Sequence, residues 1–212
     1  MKKHGRIGLA VLFAVLLQLV VFGMAVPASV HAGTLNGLVK KGKTYYFYKK
    51  GKKLKNKWKT CKIDGKKQKL YFGKKGAAYR AGSLYENAYN VKIFKIKNKK
   101  YGFDNNGFLV KKGVYVNGSF KILAFKKKGV YDEKKTKKLR SKLKIGKISK
   151  KMYDKVTSVL GKPLSVSRSD SCTPWNDEDS FTDVVLDYGH YDVQLIQNDR
   201  TKEYMLDGYF PR

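Results

Sequence analysis

Between Pro27 and Pro163 this 212-residue chain has no proline at all. Nothing in that stretch deprives a β-ladder of a backbone donor. Cysteine is scarce, with Cys61 and Cys172 alone, so neither a disulfide framework nor a multi-cysteine zinc site can be built. At most one bond, Cys61 to Cys172, is open to an exported chain. Histidine is limited to His4, His31 and His190. Cys172 and His190 could in principle supply a nucleophile and a base, but nothing around Cys172 has a catalytic signature. Asp177, Glu178 and Asp179, with Asp183 and Asp187, lack the Asp-x-Asp-x-Asp-Gly order of a calcium loop. No phosphate-binding glycine loop occurs. The expectation is a protein that is not an enzyme and holds no cofactor and no metal.

Acidic residues are also few, 16 against 47 Lys and Arg, for a net charge of +31. The imbalance is local. Residues 33–151 carry 38 Lys/Arg and 5 Asp/Glu, whereas residues 152–212 carry 6 and 11. A strongly basic part joined to a mildly acidic one suggests two modules with different tasks.

The first 32 residues indicate where the basic part works. Lys2, Lys3 and Arg6 precede an uncharged stretch from Ile7 to Val26, and Val30-His31-Ala32 offers small residues at the positions a signal peptidase reads. The reading is a signal peptide, residues 1–32, with the mature chain starting at Gly33. The alternative is an uncleaved anchor through residues 7–26, which approach the length that spans a bilayer. An exported chain this basic meets anionic wall polymers, acidic glycans or lipid headgroups, and nucleic acid only non-specifically.

The lysines are interleaved with aromatics and glycines at a recurring spacing. Phe-x-(Lys/Asn)-(Lys/Asn)-Gly occurs at Phe47–Gly51, Phe72–Gly76, Phe103–Gly107 and Phe125–Gly129. Two residues earlier stands Tyr45, Leu70, Tyr101 or Leu123, which places a second large apolar side chain on the same face of an extended strand. Asp64-Gly65, Asn106-Gly107 and Asn117-Gly118 are hairpin turn signals. Residues 33–130 therefore read as a basic array of β-hairpins whose aromatic faces pack unit on unit while lysines point outward.

Asn36 to Gly51, with Gly42-Lys43-Thr44-Tyr45-Tyr46-Phe47 at its centre and Trp58 after it, resembles the cell-wall-binding or choline-binding repeat of Gram-positive surface proteins. The resemblance covers residues 36–130 and weakens after the second unit. It implies hairpins whose neighbouring aromatics form cages for choline or platforms for glucan. This region has Trp58 as its one tryptophan, and its positive surface repels a cation while attracting phosphate. The candidate polymer-binding residues are Tyr45, Tyr46, Phe47, Trp58, Tyr71 and Phe72, with Lys49, Lys50, Lys74 and Lys75. Core packing between hairpins is the competing role for the rings.

Residues 131–212 read as a small acidic α+β domain. Asp132 to Arg140 has helical character. A second helix is expected after an N-cap at Ser149, with Met152, Tyr153, Val156, Val159 and Leu160 on one apolar face and Gly161 and Pro163 ending it. Extended runs follow at residues 181–188, 191–197 and 202–210. The expected fold is an array of β-hairpin repeats followed by one or two helices packed on a three-stranded antiparallel sheet. Leu143 to Ser149, Val156 and Leu160-Gly161-Lys162-Pro163 are similar to the SmpA/BamE and beta-lactamase-inhibitor-protein-like domains, over residues 136–212. That likeness implies a protein-binding module.

Together these features describe a secreted, non-enzymatic cell-envelope protein. Its basic aromatic repeats bind anionic wall polymer, teichoic acid or a related glycan, and its C-terminal domain meets a protein partner. Two other readings remain open: an extracellular inhibitor or adaptor acting through the C-terminal domain, and a non-specific extracellular nucleic-acid or polyanion adhesin.

Overall fold

The structure, a computed structural model, describes residues 34–84, 88–172 and 178–212. The expected signal peptide lies outside them. Residues 36–212 form one compact unit.

Its first part is a succession of antiparallel hairpins. Strands β1 (Gly37–Lys41), β2 (Thr44–Lys49) and β3 (Lys52–Lys53) make a three-stranded sheet. β4 (Lys57–Ile63) pairs with β5 (Lys66–Phe72), β6 (Val91–Ile96) with β7 (Lys99–Asp104), and β8 (Gly113–Val116) with β9 (Ile122–Phe125). The glycines that close the four sequence repeats, Gly51, Gly76, Gly107 and Gly129, have φ of +74°, +77°, +86° and +65°. Each holds the left-handed conformation that glycine adopts without steric cost. Asn117-Gly118 turns differently. There the left-handed residue is Phe120, at φ +55°, and Gly118 serves close approach instead, since a Cβ on it would lie 2.8 Å from the Leu84 side chain.

A single hydrogen bond repeats from unit to unit. After its turn the chain folds back on its own hairpin, bridging Phe72 to Ala78, Phe103 to Leu109 and Phe125 to Tyr131. The returning residue also donates its N–H to the preceding hairpin: Ala78 to the Tyr45 carbonyl, Leu109 to Lys69 and Tyr131 to Lys100, each at 2.9 Å. Tyr45, Lys69 and Lys100 lie three residues before Tyr48, Phe72 and Phe103. The spatial counterpart of Phe72 and Phe103 is therefore Tyr48, one residue beyond the Phe47 of the sequence motif. The cause is turn length. Lys49 pairs with Lys52 across a two-residue turn, whereas Asp104 N–H reaches the Phe108 carbonyl across three. Burial follows the corrected register, with Tyr48 at 5%, Phe72 and Phe103 at 0% and Phe125 at 3% exposure.

The fourth hairpin is buried on both faces. Tyr115, Leu123 and Phe125 join Val91 and Val110 in a repeat-side core. Val116, Ile122 and Ala124, alternating with them, join the core of the C-terminal part. The two-residue period of a strand thus makes β8–β9 a shared wall.

On the far side of that wall lie α1 (Glu133–Lys142), β10 (Ile148–Ser149), α2 (Met152–Leu160), β11 (Ser165–Asp170), β12 (Phe181–Asp187), β13 (Tyr191–Asn198) and β14 (Tyr204–Pro211). Asp132 caps α1 by accepting the Lys135 N–H at 3.0 Å. The sheet has five strands, in the order β10-β14-β13-β12-β11, where three were expected. β12, β13 and β14 are the three extended runs of the sequence. The added edges escape sequence reading because an edge strand needs only one neighbour. β11 reads Ser-Val-Ser-Arg-Ser-Asp, and every one of its residues is exposed. Ser149 is not the N-cap of α2. It pairs with Tyr204 in β10, and the helix starts after Lys151, which makes no side-chain cap. The expected apolar face of α2 does meet the core, with Met152 and Val156 at its centre and Tyr153, Val159 and Leu160 at its margin. Gly161, at φ +97°, ends the helix and donates its N–H to the Thr157 carbonyl. Among the described residues no helix is long and apolar enough to cross a membrane.

Candidate functional site

The cross-strand pairs of the second and third hairpins generate an aromatic circuit. Trp58 stands opposite Tyr71 on β4–β5, and Phe94 opposite Tyr101 on β6–β7. The hydrogen-bonded return of the chain sets the two pairs side by side. Trp58 lies edge-on to both Tyr71 and Tyr101, with ring centroids 5.1 Å apart in each case. Tyr79, on the segment returning from the second unit, links Tyr71 at 5.2 Å to Phe94 at 4.5 Å. Five partly exposed rings thus close around the fully buried Phe103, which stacks on Trp58 at 5.7 Å and meets Phe94 at 5.8 Å. Edge-to-face and offset contacts of this kind fix ring orientation as well as burying area.

Lysines border the circuit. The Lys69 ammonium lies 4.9 Å from the Trp58 ring centroid, and that of Lys92 lies 5.7 Å from Phe94. Burial, reinforced by the Tyr79 phenol, raises the pKa of Tyr71 and keeps it a neutral donor. One face of the circuit therefore combines apolar ring surface with cationic nitrogen. That is the combination needed to stack a flat or saturated ring and hold an attached anion.

The residues expected from sequence fall into separate places. Trp58 and Tyr71 belong to the circuit. Tyr45 and Phe47 face the opposite side of the second hairpin, against the core of Ile63, Leu70, Phe72 and Ala78. Lys40 and Lys59 cover those two rings. Tyr46 points the other way from its strand neighbours and carries Lys53 at 4.8 Å. Phe72 is a correction: it is fully buried and has no surface to offer a polymer. Lys49, at the end of β2, and Lys50, Lys74 and Lys75, on the turns of the first two units, are all exposed. Tyr79, Phe94, Tyr101, Lys69 and Lys92 were not anticipated. Phe94 and Tyr101 were accessible in principle, because a two-residue turn at Lys97-Asn98 makes them direct partners. Tyr79 was not, since only the return hydrogen bond places it.

Cys61 and Cys172 are both free. Cys61 is buried in the repeat core and Cys172 is exposed, so the candidate disulfide is not formed. Burial pushes the Cys61 thiol pKa up. His190 does not stand alone on its turn: it stacks on Tyr89 at 4.2 Å and on Tyr115 at 5.9 Å, and burial lowers its pKa. The acidic residues are engaged locally, Asp179 with Arg200 and Asp187 with Arg212. Asp177 lies outside the described residues. Among the described residues no three His, Cys, Asp or Glu side chains converge as a metal site would require.

No protein-family profile matches the sequence, and no curated protein matches it. Among solved structures, the modular Cpl-1 endolysin complexed with a peptidoglycan analogue aligns at a TM-score of 0.34 and 17% identity, over 79% of this chain and 36% of that one. An alternansucrase in complex with isomaltononaose aligns at 0.24 and 22% identity, over 46% of this chain and 7% of that one. The chain thus spans about a third of the endolysin and a small part of the alternansucrase.

Proposed function

We propose that the chain is exported and acts as a non-enzymatic cell-envelope protein, whose hairpin array binds an anionic wall polymer through the Trp58–Tyr71–Tyr79–Phe94–Tyr101 circuit. The supporting observation is the pairing of that circuit with Lys69 and Lys92. The rings stack a sugar or polyol segment, and the ammonium groups neutralise phosphate or carboxylate. A quaternary ammonium ligand fits less well. Lys69 already occupies the cation position over Trp58, and the strongly positive array repels an incoming cation.

The test is cosedimentation of residues 33–212 with purified Gram-positive walls, intact or stripped of teichoic acid, across a salt series. Binding that survives moderate salt, falls on Trp58→Ala and disappears on stripping supports the reading. Binding that ignores Trp58→Ala and fades steeply with salt instead indicates bulk charge alone.

A second reading, an extracellular adaptor working through the C-terminal part, is favoured by one observation. Among the described residues β11 is an edge strand, paired only with β12 and exposed along its whole length. Such an edge accepts an added strand from a partner.

A further inference from the structure

The tip of the fourth hairpin combines features that the wall-binding reading leaves unused. Phe120 is 45% exposed although it is a large apolar residue. Beside it lie Phe210, its ring centroid 6.0 Å away and the residue 36% exposed, and Ile145, 57% exposed. Lys121, Arg140 and Lys144 line the same shallow hollow as Phe120 and Ile145, and no carboxylate does so among the described residues. The Arg140 guanidinium is held at the rim by donating from Nε to the Ile122 carbonyl at 3.1 Å.

The backbone at this tip is held against its preference. Phe120 sits at φ +55°, a conformation in which bulky side chains are outliers. Asn117 enforces it: the Asn117 carboxamide oxygen accepts the N–H groups of Ser119 at 3.1 Å and Lys121 at 3.0 Å, and its carbonyl accepts that of Phe120 at 2.8 Å. Glycine would take the position without strain. Strain kept at an exposed phenylalanine is a reason to look for what that ring meets.

We infer that this tip docks on an anionic lipid bilayer, with Phe120, Phe210 and Ile145 entering the headgroup–acyl boundary and Lys121, Arg140 and Lys144 meeting the lipid phosphates. An apolar wedge rimmed by cations is the pattern of interfacial membrane attachment, and each basic residue near an anionic leaflet adds attraction. The charge selects this occupant over a second copy of the chain, because two molecules this basic repel one another. The tip is distinct from the aromatic circuit, so either can fail without the other.

The experiment uses residues 33–212, which hold the whole compact unit and leave out the apolar stretch that would enter any bilayer. Protein is sedimented with vesicles of phosphatidylcholine alone or mixed with phosphatidylglycerol. Phe120→Gly is the informative variant, because glycine accepts the left-handed backbone and the fold is kept. The expected result is binding to the mixed vesicles only, weakened about tenfold by Phe120→Gly and about fivefold by Lys144→Glu, with wall binding unchanged in both. Equal vesicle binding by wild type and Phe120→Gly overturns the inference, as does absence of binding to anionic vesicles. A Phe120-dependent dimer seen by sedimentation velocity without lipid also overturns it, in favour of a second copy.

Discussion

The hairpin array and the C-terminal sheet use the same antiparallel pairing rule to opposite ends. In the sheet of β10 to β14 the inner face is closed: Val184, Leu186, Val193, Leu195 and Leu206 are all at 0% exposure under the two helices. In the array each hairpin has two strands, extended in the first unit only by the two-residue β3, too little to be stable alone. It gains stability from its neighbours, as stacked repeats do. One face of a hairpin goes into that packing. The other is left with rings half exposed among lysines, as on β4–β5 and β6–β7. The sheet concentrates stability in a single core, whereas the array spreads it thinly and displays side chains. Where the two meet, β8–β9 gives alternate residues to each.

The largest effect is expected in the closed core. Leu195→Ala on the central strand should destabilise the protein by about 3–4 kcal/mol, read as a lower denaturation midpoint for the whole molecule. Loss of the sheet signal with the array left intact would show that the shared wall does not couple the two parts. Next comes the contact between consecutive hairpins. A Cβ on Gly102 would lie 2.5 Å from the Phe125 ring and 2.8 Å from Val110. Gly102→Ala should therefore cost about 1–3 kcal/mol, with hydrogen exchange rising first in β6–β9.

A smaller effect belongs to Asp104, buried in the array beside Tyr89 and Tyr115. Burial pushes its pKa up to about 6, against the opposing N–H groups of Phe108, Asn106 and Gly107. The folded state thus holds its proton more tightly than the unfolded chain does. The associated stability is present below the ordinary aspartate pKa and is lost as pH rises through about 6. Asp104→Asn should stabilise the protein by about 1–2 kcal/mol at neutral pH and by little at acid pH. A pH-independent difference in thermal midpoint would contradict this origin.

How much of this could be read from the sequence differs in the same way between the two parts. The array was legible as hairpins because its turns are chemical: Asp64-Gly65 and the repeat glycines take a left-handed backbone that few other residues adopt. Its register was not. The motif aligned Phe47 with Phe72, whereas a first turn one residue shorter makes Tyr48 the buried counterpart and leaves Phe47 on the face of the second hairpin opposite Trp58. The site was half legible for a related reason. Trp58 and Tyr71 lie on one recognisable hairpin, but Tyr79 joins them only because its N–H returns to the Tyr71 carbonyl, and Phe94 only through contacts between units, which no local pattern records. In the C-terminal part the apolar strands and the face of α2 were readable from periodicity. The edge strands β10 and β11 were not, since they bury almost nothing.

The central claim is that polymer is held by the ring–lysine circuit and not by charge at large. Two variants that remove the same charge test it most directly: Lys69→Ala with Lys92→Ala at the circuit, and Lys74→Ala with Lys75→Ala on the exposed turn. Affinity for teichoic-acid-bearing walls, measured at one moderate salt concentration, should fall at least several-fold further for the circuit pair than for the turn pair. Equal losses in the two would contradict the claim and leave net charge as the binding force.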